Sequence, residues 1–221
     1  MTASASDFRV ARARMVSEQL RGAGLTDPRV LAAMREVPRH LFVPRLLRHR
    51  AYQGCALPIG YGQTISQPFT VGLMTALCAL RGDESVLEVG TGSGYQAAVL
   101  SRLARTVLTV DRVTPLCRRA AGILAEVGYA NVEVLAADGC QPLPGVGPFD
   151  VVLVTACAER FPEVLYRQLR EGGRLVLPLG NGSVQTIYRF HRRCDRPAIE
   201  RSLPCHFVPL VPGLVEAAGG G

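Results

Sequence analysis

The chain has 221 residues, 48% of them hydrophobic, a formal net charge of +7 and no lysine, so arginine supplies the whole basic excess. That length and the alternation of strand and helix signals favour one α/β domain over residues 1–221 with an ample core. No apolar run approaches a bilayer span, and residues 1–6 lack an apolar segment behind a basic start, so a cytoplasmic protein with no membrane partner is expected.

The seven cysteines are odd in number and form no C-x-x-C pair, which reads as free, buried thiols in a reducing compartment. With four scattered histidines and no H-E-x-x-H, no metal site is suggested. Residues 1–50 hold ten arginines against Asp7, Glu18, Asp27 and Glu36, and a second basic stretch runs from Arg189 to Arg201. Such stretches can meet an acidic peptide or nucleic acid, or can be helices that face water.

In chain order, residues 8–21 are helical in pattern and stop at Gly22-Ala23-Gly24. Thr26-Asp27-Pro28 supplies a cap and a first-turn proline for a second helix to about Glu36. Residues 51–68 carry Gly54, Pro58, Gly60, Gly62 and Pro68 and are expected to be a loop that bears chemistry. A largely apolar helix over 69–80 precedes a strand at 86–89, and further strands are expected at 107–111, 131–136 and 149–155. Helices fall at 94–104, 115–127 and 163–169, a fifth strand runs through 172–178, and Gln185–Phe190 with a strand near Phe207 forms a closing hairpin. This alternation predicts a mostly parallel sheet with helices on both faces and ligands at the strand C-terminal ends. Ala217–Gly221 reads as a low-complexity tail.

Ser85–Tyr95 (SVLEVGTGSGY) is a buried strand running into a glycine turn and a helix. Its G-x-G-x-G spacing differs from the G-x-G-x-x-G that brings amides onto a pyrophosphate, so the turn reads as a site for S-adenosylmethionine, which has no phosphate. Asp111, about twenty residues on, can accept both ribose hydroxyls; alternatively it complements the dipole of the helix behind it.

Gln63-Thr64-Ile65-Ser66 behind Pro58-Ile59-Gly60, followed by Val86–Tyr95, resembles the protein-L-isoaspartate O-methyltransferase family. The resemblance runs from Met15–Leu20 through Val37–Pro44 and Pro148-Phe149-Asp150 to Phe207–Leu210. It implies a Rossmann-like S-adenosylmethionine-dependent methyltransferase fold. Residues 1–50 would be a helical addition, 51–82 the active-site loop and helix, 83–180 the cofactor core and 181–221 the closing strands and tail. The cofactor set it implies is Gln63, Thr64, Ile65, Ser66, Glu88, Gly90, Gly92, Ser93, Gly94, Asp111, Arg112, Asp138 and Gly139. Glu88 would line the ligand or brace the loop through backbone amides, and Asp138 would meet the adenine amino group. Ser66 would be catalytic, orienting the substrate carboxylate; outside this motif it would read as a turn residue before Pro68. Ile59, Thr155, Ala156, Val208, Pro209 and Leu210 would face the substrate.

The implied reaction is methyl transfer to the free α-carboxylate of L-isoaspartyl residues in damaged proteins or peptides. An alternative acceptor is one aspartate of a dedicated biosynthetic peptide. A carboxylate ionises near pH 4, so no strong base is needed and catalysis should be positioning. The chain departs from the family pattern at Gly54, Pro142 and Cys157, all expected to flank the substrate side. An amino-group nucleic-acid methyltransferase would carry [DN]-P-P-[FY] where Thr155-Ala156-Cys157-Ala158 stands, so nucleic acid is not the expected substrate.

Overall fold

The computed structural model describes residues 5–181, 184–193 and 198–216; Cys194, part of the second basic stretch and the Ala217–Gly221 tail lie outside the described residues. Helix α1 (Ala5–Arg14) passes into a π-helical segment, Met15–Arg21. The expected single helix therefore changes pitch. The i, i+5 geometry of a π-helix brings Met15 and Leu20 to one side, and both are fully buried. Helix α2 (Pro28–Glu36) begins as the sequence predicts, with Asp27 Oδ1 accepting from the Arg29 N–H (2.9 Å) and the Val30 N–H (3.2 Å).

Strands β1 (Leu57–Gly60) and β2 (Gln63–Ile65) form an antiparallel hairpin where a loop was expected. Tyr61 and Gly62 take φ of 55° and 69°, as a primed two-residue turn requires, and Leu57, Ile59 and Ile65 point inward. Of the glycines and prolines that suggest a loop, Gly62 is in the turn, Pro58 and Gly60 lie within β1, and Gly54 and Pro68 flank the hairpin.

The remaining elements are α3 (Pro68–Leu77), β3 (Ser85–Val89), α4 (Tyr95–Ser101), β4 (Thr106–Asp111), α5 (Thr114–Val127), β5 (Val132–Ala136), β6 (Phe149–Val154), α6 (Glu163–Arg167), β7 (Leu169–Asn181), β8 (Val184–His191) and β9 (Ala198–Cys205). The main sheet has the order β5-β4-β3-β6-β7-β8-β9. Pairing is parallel from β5 to β7 and antiparallel from β7 to β9. The closing hairpin is thus present, with its second strand ending at Cys205 rather than lying at Phe207.

Helices cover the two faces unequally. Val86, Val107, Val151 and Leu153 share one core with residues of α1 to α5, whereas Leu87, Val89, Val152 and Val154 pack with Leu165 of α6. Between β5 and β6 there is no helix. Residues 137–148 contain Pro142, Pro144, Gly145, Gly147 and Pro148, which exclude one, and Leu143 packs on the second core instead. The chain turns back between β3 and β6, the switch point at which ligands bind to doubly wound sheets.

Candidate active site

A cleft opens at this switch point. The hairpin supplies Gln63 and Thr64, the glycine turn Gly90 and Gly92, and the end of β4 Asp111 and Arg112. Gly139 closes one side, Thr155 and Ala156 follow β6, and Val208, Pro209 and Leu210 come from the C-terminal segment. A second compartment holds Ile65, Ser66 and Ser93, and an outer groove is lined by Ser66, Gln67, Thr70 and His206 among others. Thr64 and Thr155 border all three spaces, so they adjoin along one wall.

The C-terminal segment roofs the cleft because its backbone is tied to successive strand ends. The Cys157 N–H donates to Val208 O (2.8 Å) and the Leu210 N–H to Cys157 O (2.7 Å). Further along, the Gly213 N–H donates to Asp138 Oδ2 (2.8 Å) and the Val215 N–H to Arg112 O (2.7 Å). Arg112 Nε donates to Gly213 O (2.8 Å).

Asp111 is almost fully buried and organises the glycine turn: Oδ2 accepts from the Gly92 N–H (2.7 Å) and Oδ1 from the Val113 N–H (2.9 Å). Each carboxylate oxygen keeps a second acceptor site toward the cleft. The turn itself is not an anion nest. The N–H groups of Gly90 and Thr91 donate to Val110 O, that of Gly94 to Thr91 O and that of Tyr95 to Ser93 Oγ. With Gly92 committed to Asp111, little is left to cradle a phosphate. A phosphate-free nucleoside with a ribose diol fits these donors and acceptors. Backbone also approaches closely here: a Cβ on Gly139 would fall 2.3 Å from Val89 Cγ1.

Four expected site residues do not line the cleft. Ile59 packs its Cδ1 against Gly92, while its carbonyl accepts from Arg119 Nη2 (2.7 Å). Gly94, at φ 85°, caps α4 against Ala120. Asp138 receives the Cys140 N–H on Oδ1 (2.8 Å) as well as Gly213 on Oδ2. Its carboxylate therefore holds the roof, a use that cannot be read before the C-terminal segment is placed.

Glu88 is fully buried beneath the turn. Thr109 Oγ1 donates to its Oε2 (2.6 Å) and lies 2.7 Å from Thr91 Oγ1, while Oε1 has no partner. It reaches the turn through hydroxyls rather than backbone amides. Burial pushes its pKa up to about 8, against the Thr109 hydrogen bond and with help from the charge of Asp111. In an unfolded chain the group ionises near pH 4.3. Between those values the folded protein holds a proton that the unfolded chain lacks, so stability falls as pH rises from about 4.5 to about 8 and then levels. Glu88→Gln should abolish that slope. Urea unfolding of both proteins from pH 5 to 8 tests it, and parallel stability curves would refute it.

Several lining residues were not singled out from the sequence, among them Thr70, Thr91 and Phe207. Thr91 lay inside the glycine motif and was legible there; Thr70 and Phe207 were hidden in apolar stretches. Of the three departures, only Cys157 adjoins the cleft, through its backbone bonds to the roof. Gly54 is exposed beside the Gln19 side chain, and Pro142 is exposed in the β5–β6 connection, so neither flanks the cleft. The six described cysteines are free, and among the described residues no group of three or more His, Cys, Asp or Glu could hold a metal ion. No described helix is long and apolar enough to cross a membrane.

The sheet order, glycine turn and cleft define a Rossmann-like methyltransferase fold. Residues 11–214 match the model of the protein-L-isoaspartate(D-aspartate) O-methyltransferase family, and the chain belongs to that family. A protein-L-isoaspartate O-methyltransferase of Trichlorobacter lovleyi is 48% identical over 206 residues, 93% of this chain and 95% of the relative. A solved protein-L-isoaspartate O-methyltransferase superposes with a TM-score of 0.81 at 28% identity, over 92% of this chain and 67% of that chain. A Plasmodium falciparum protein solved with S-adenosyl-L-homocysteine gives a TM-score of 0.79 over 90% of this chain and 98% of that chain; at 22% identity it shows the shared fold alone.

Proposed function

We propose that this enzyme transfers a methyl group from S-adenosylmethionine to the α-carboxylate of L-isoaspartyl residues in damaged proteins and peptides, which starts repair through a succinimide. The observation that carries the reading is the shared wall at Thr64 and Thr155, which joins the cleft lined by Asp111 to an outer groove at Ser66. When bound, S-adenosylmethionine supplies an electrophilic methyl group.

Asp111 holds the ribose hydroxyls on its free acceptor sites, and Gly92 and Gly139 let backbone come close to the nucleoside. Val110 and Val113 give that compartment an apolar lining. Ser66 faces the inner compartment and the outer groove, and its hydroxyl makes no hydrogen bond to another described residue, so it is available to orient the acceptor carboxylate. Thr155 Oγ1 donates to Gly90 O (2.8 Å) and keeps the turn against the end of β6. The acceptor is already ionised at neutral pH, so rate comes from holding it in line and excluding water. Residues 1–50 act as a helical addition to one methyltransferase domain. The free thiols support a cytoplasmic setting.

The test is transfer of labelled methyl to an isoaspartyl peptide and to its aspartyl twin, side by side. Strong preference for the isoaspartyl peptide is expected; transfer only to an aspartyl peptide of defined sequence would move the assignment to a dedicated client. Ser66→Ala should lower turnover about tenfold, the effect of one lost hydrogen bond, while cofactor affinity changes little. Full activity would return Ser66 to a turn role.

A further inference from the structure

Of the ten arginines in residues 1–50, nine face solvent at least in part, and Arg39 alone is buried, with 0% of its surface exposed. Its Nε donates to Ala51 O (2.7 Å) and its Nη2 to Ser66 O (2.7 Å). The guanidinium lies 4.8 Å over the ring of Tyr95, the first residue of α4 behind the glycine turn. One side chain of residues 1–50 thus touches Ala51 just behind them, the acceptor turn at Ser66 and the helix that follows the cofactor turn.

No carboxylate balances this charge: among the described residues Arg39 has no ion pair, and Nη1 makes no hydrogen bond. Burying a cation this way costs stability, and a well-packed apolar side chain of similar length would cost less. The group must therefore supply something an apolar one cannot. Two things are on view, directed N–H donors for the carbonyls of two irregular segments, and a fixed positive charge behind the wall that carries Ser66.

Both suit an anionic acceptor. A carboxylate that leaves water for a closed pocket tends to take up a proton, and a fixed cation nearby opposes that. We propose that Arg39 is the positioning residue of the acceptor side: it pins the Ser66 turn through the Ser66 carbonyl, and its charge keeps the bound substrate carboxylate ionised. The inference rests on the carboxyl-methyl-transfer reading. Lysine would retain the charge but not the two-pronged grip on Ala51 and Ser66, whereas methionine would lose both.

The experiment compares wild type, Arg39→Lys and Arg39→Met for thermal stability, S-adenosylhomocysteine affinity and steady-state methylation of one isoaspartyl peptide across pH. Both variants should fold and bind S-adenosylhomocysteine within about threefold of wild type, and peptide kcat/KM should fall at least tenfold in each. Because kcat reports groups in the bound complex, its acid limb should move to higher pH in Arg39→Met and stay in place in Arg39→Lys. An acid limb unmoved in Arg39→Met overturns the charge role. Loss of S-adenosylhomocysteine affinity in parallel with peptide turnover reduces Arg39 to a structural staple and also overturns the proposal. Absence of methyl transfer by the wild-type protein would instead sink the underlying reading, and this inference with it.

Discussion

Asp111→Ala is expected to weaken S-adenosylmethionine binding by roughly a hundredfold, more than the loss of ligand contacts alone would give. The carboxylate has two tasks at once, to face the cleft and to accept the Gly92 and Val113 N–H groups. Hydrogen bonds to a charged group contribute ~1.5–3 kcal/mol each, and their removal also leaves two amides in a buried site without an acceptor. Asp111→Asn keeps one oxygen acceptor and should fall between wild type and alanine. Titration calorimetry with S-adenosylmethionine decides it, and an unchanged affinity in the alanine variant would refute the ribose role proposed for Asp111.

Gly90→Ala should be the most damaging conservative change in the cleft. Gly90 sits at φ 106°, and a Cβ there would fall 2.2 Å from Thr155 Oγ1. Thr155 is β-branched and hydrogen-bonded to Gly90 O, so it cannot easily turn aside. Backbone strain of ~1–3 kcal/mol and overpacking of similar size both apply. We expect a lowered melting temperature and loss of detectable cofactor binding. Combining the change with Thr155→Ala should restore part of the stability by removing the clash but not the strain. A double variant no more stable than Gly90→Ala would show that the clash is not the cause.

The residues of the cleft that were legible in the sequence are those whose signal is local. A buried apolar strand followed by spaced glycines marks Gly90 and Gly92, and an acid at the end of the next strand marks Asp111, because the parallel sheet carries strand ends to one edge. Some helix bounds were equally plain, as at Asp27 before α2 and at Gly128, φ 91°, behind α5, whereas the helix expected over 163–169 ends at Arg167 and Leu169 already opens β7. The hairpin at Leu57–Ile65 was not, because its short period-2 alternation is interrupted by the glycines that also make its turn.

Patterns a few residues long thus mark out the strands and helices of the parallel core, the family resemblance and the kind of cofactor. How charges far apart in sequence are used becomes visible once the chain is packed. Asp138 is claimed by Gly213 across 75 residues, Glu88 is shut beneath the turn with the Thr109 hydroxyl, and Arg39 reaches 27 residues along to the Ser66 carbonyl. A buried polar group must find its partners wherever the packed chain brings them, and that choice depends on which segments meet rather than on its neighbours in the sequence.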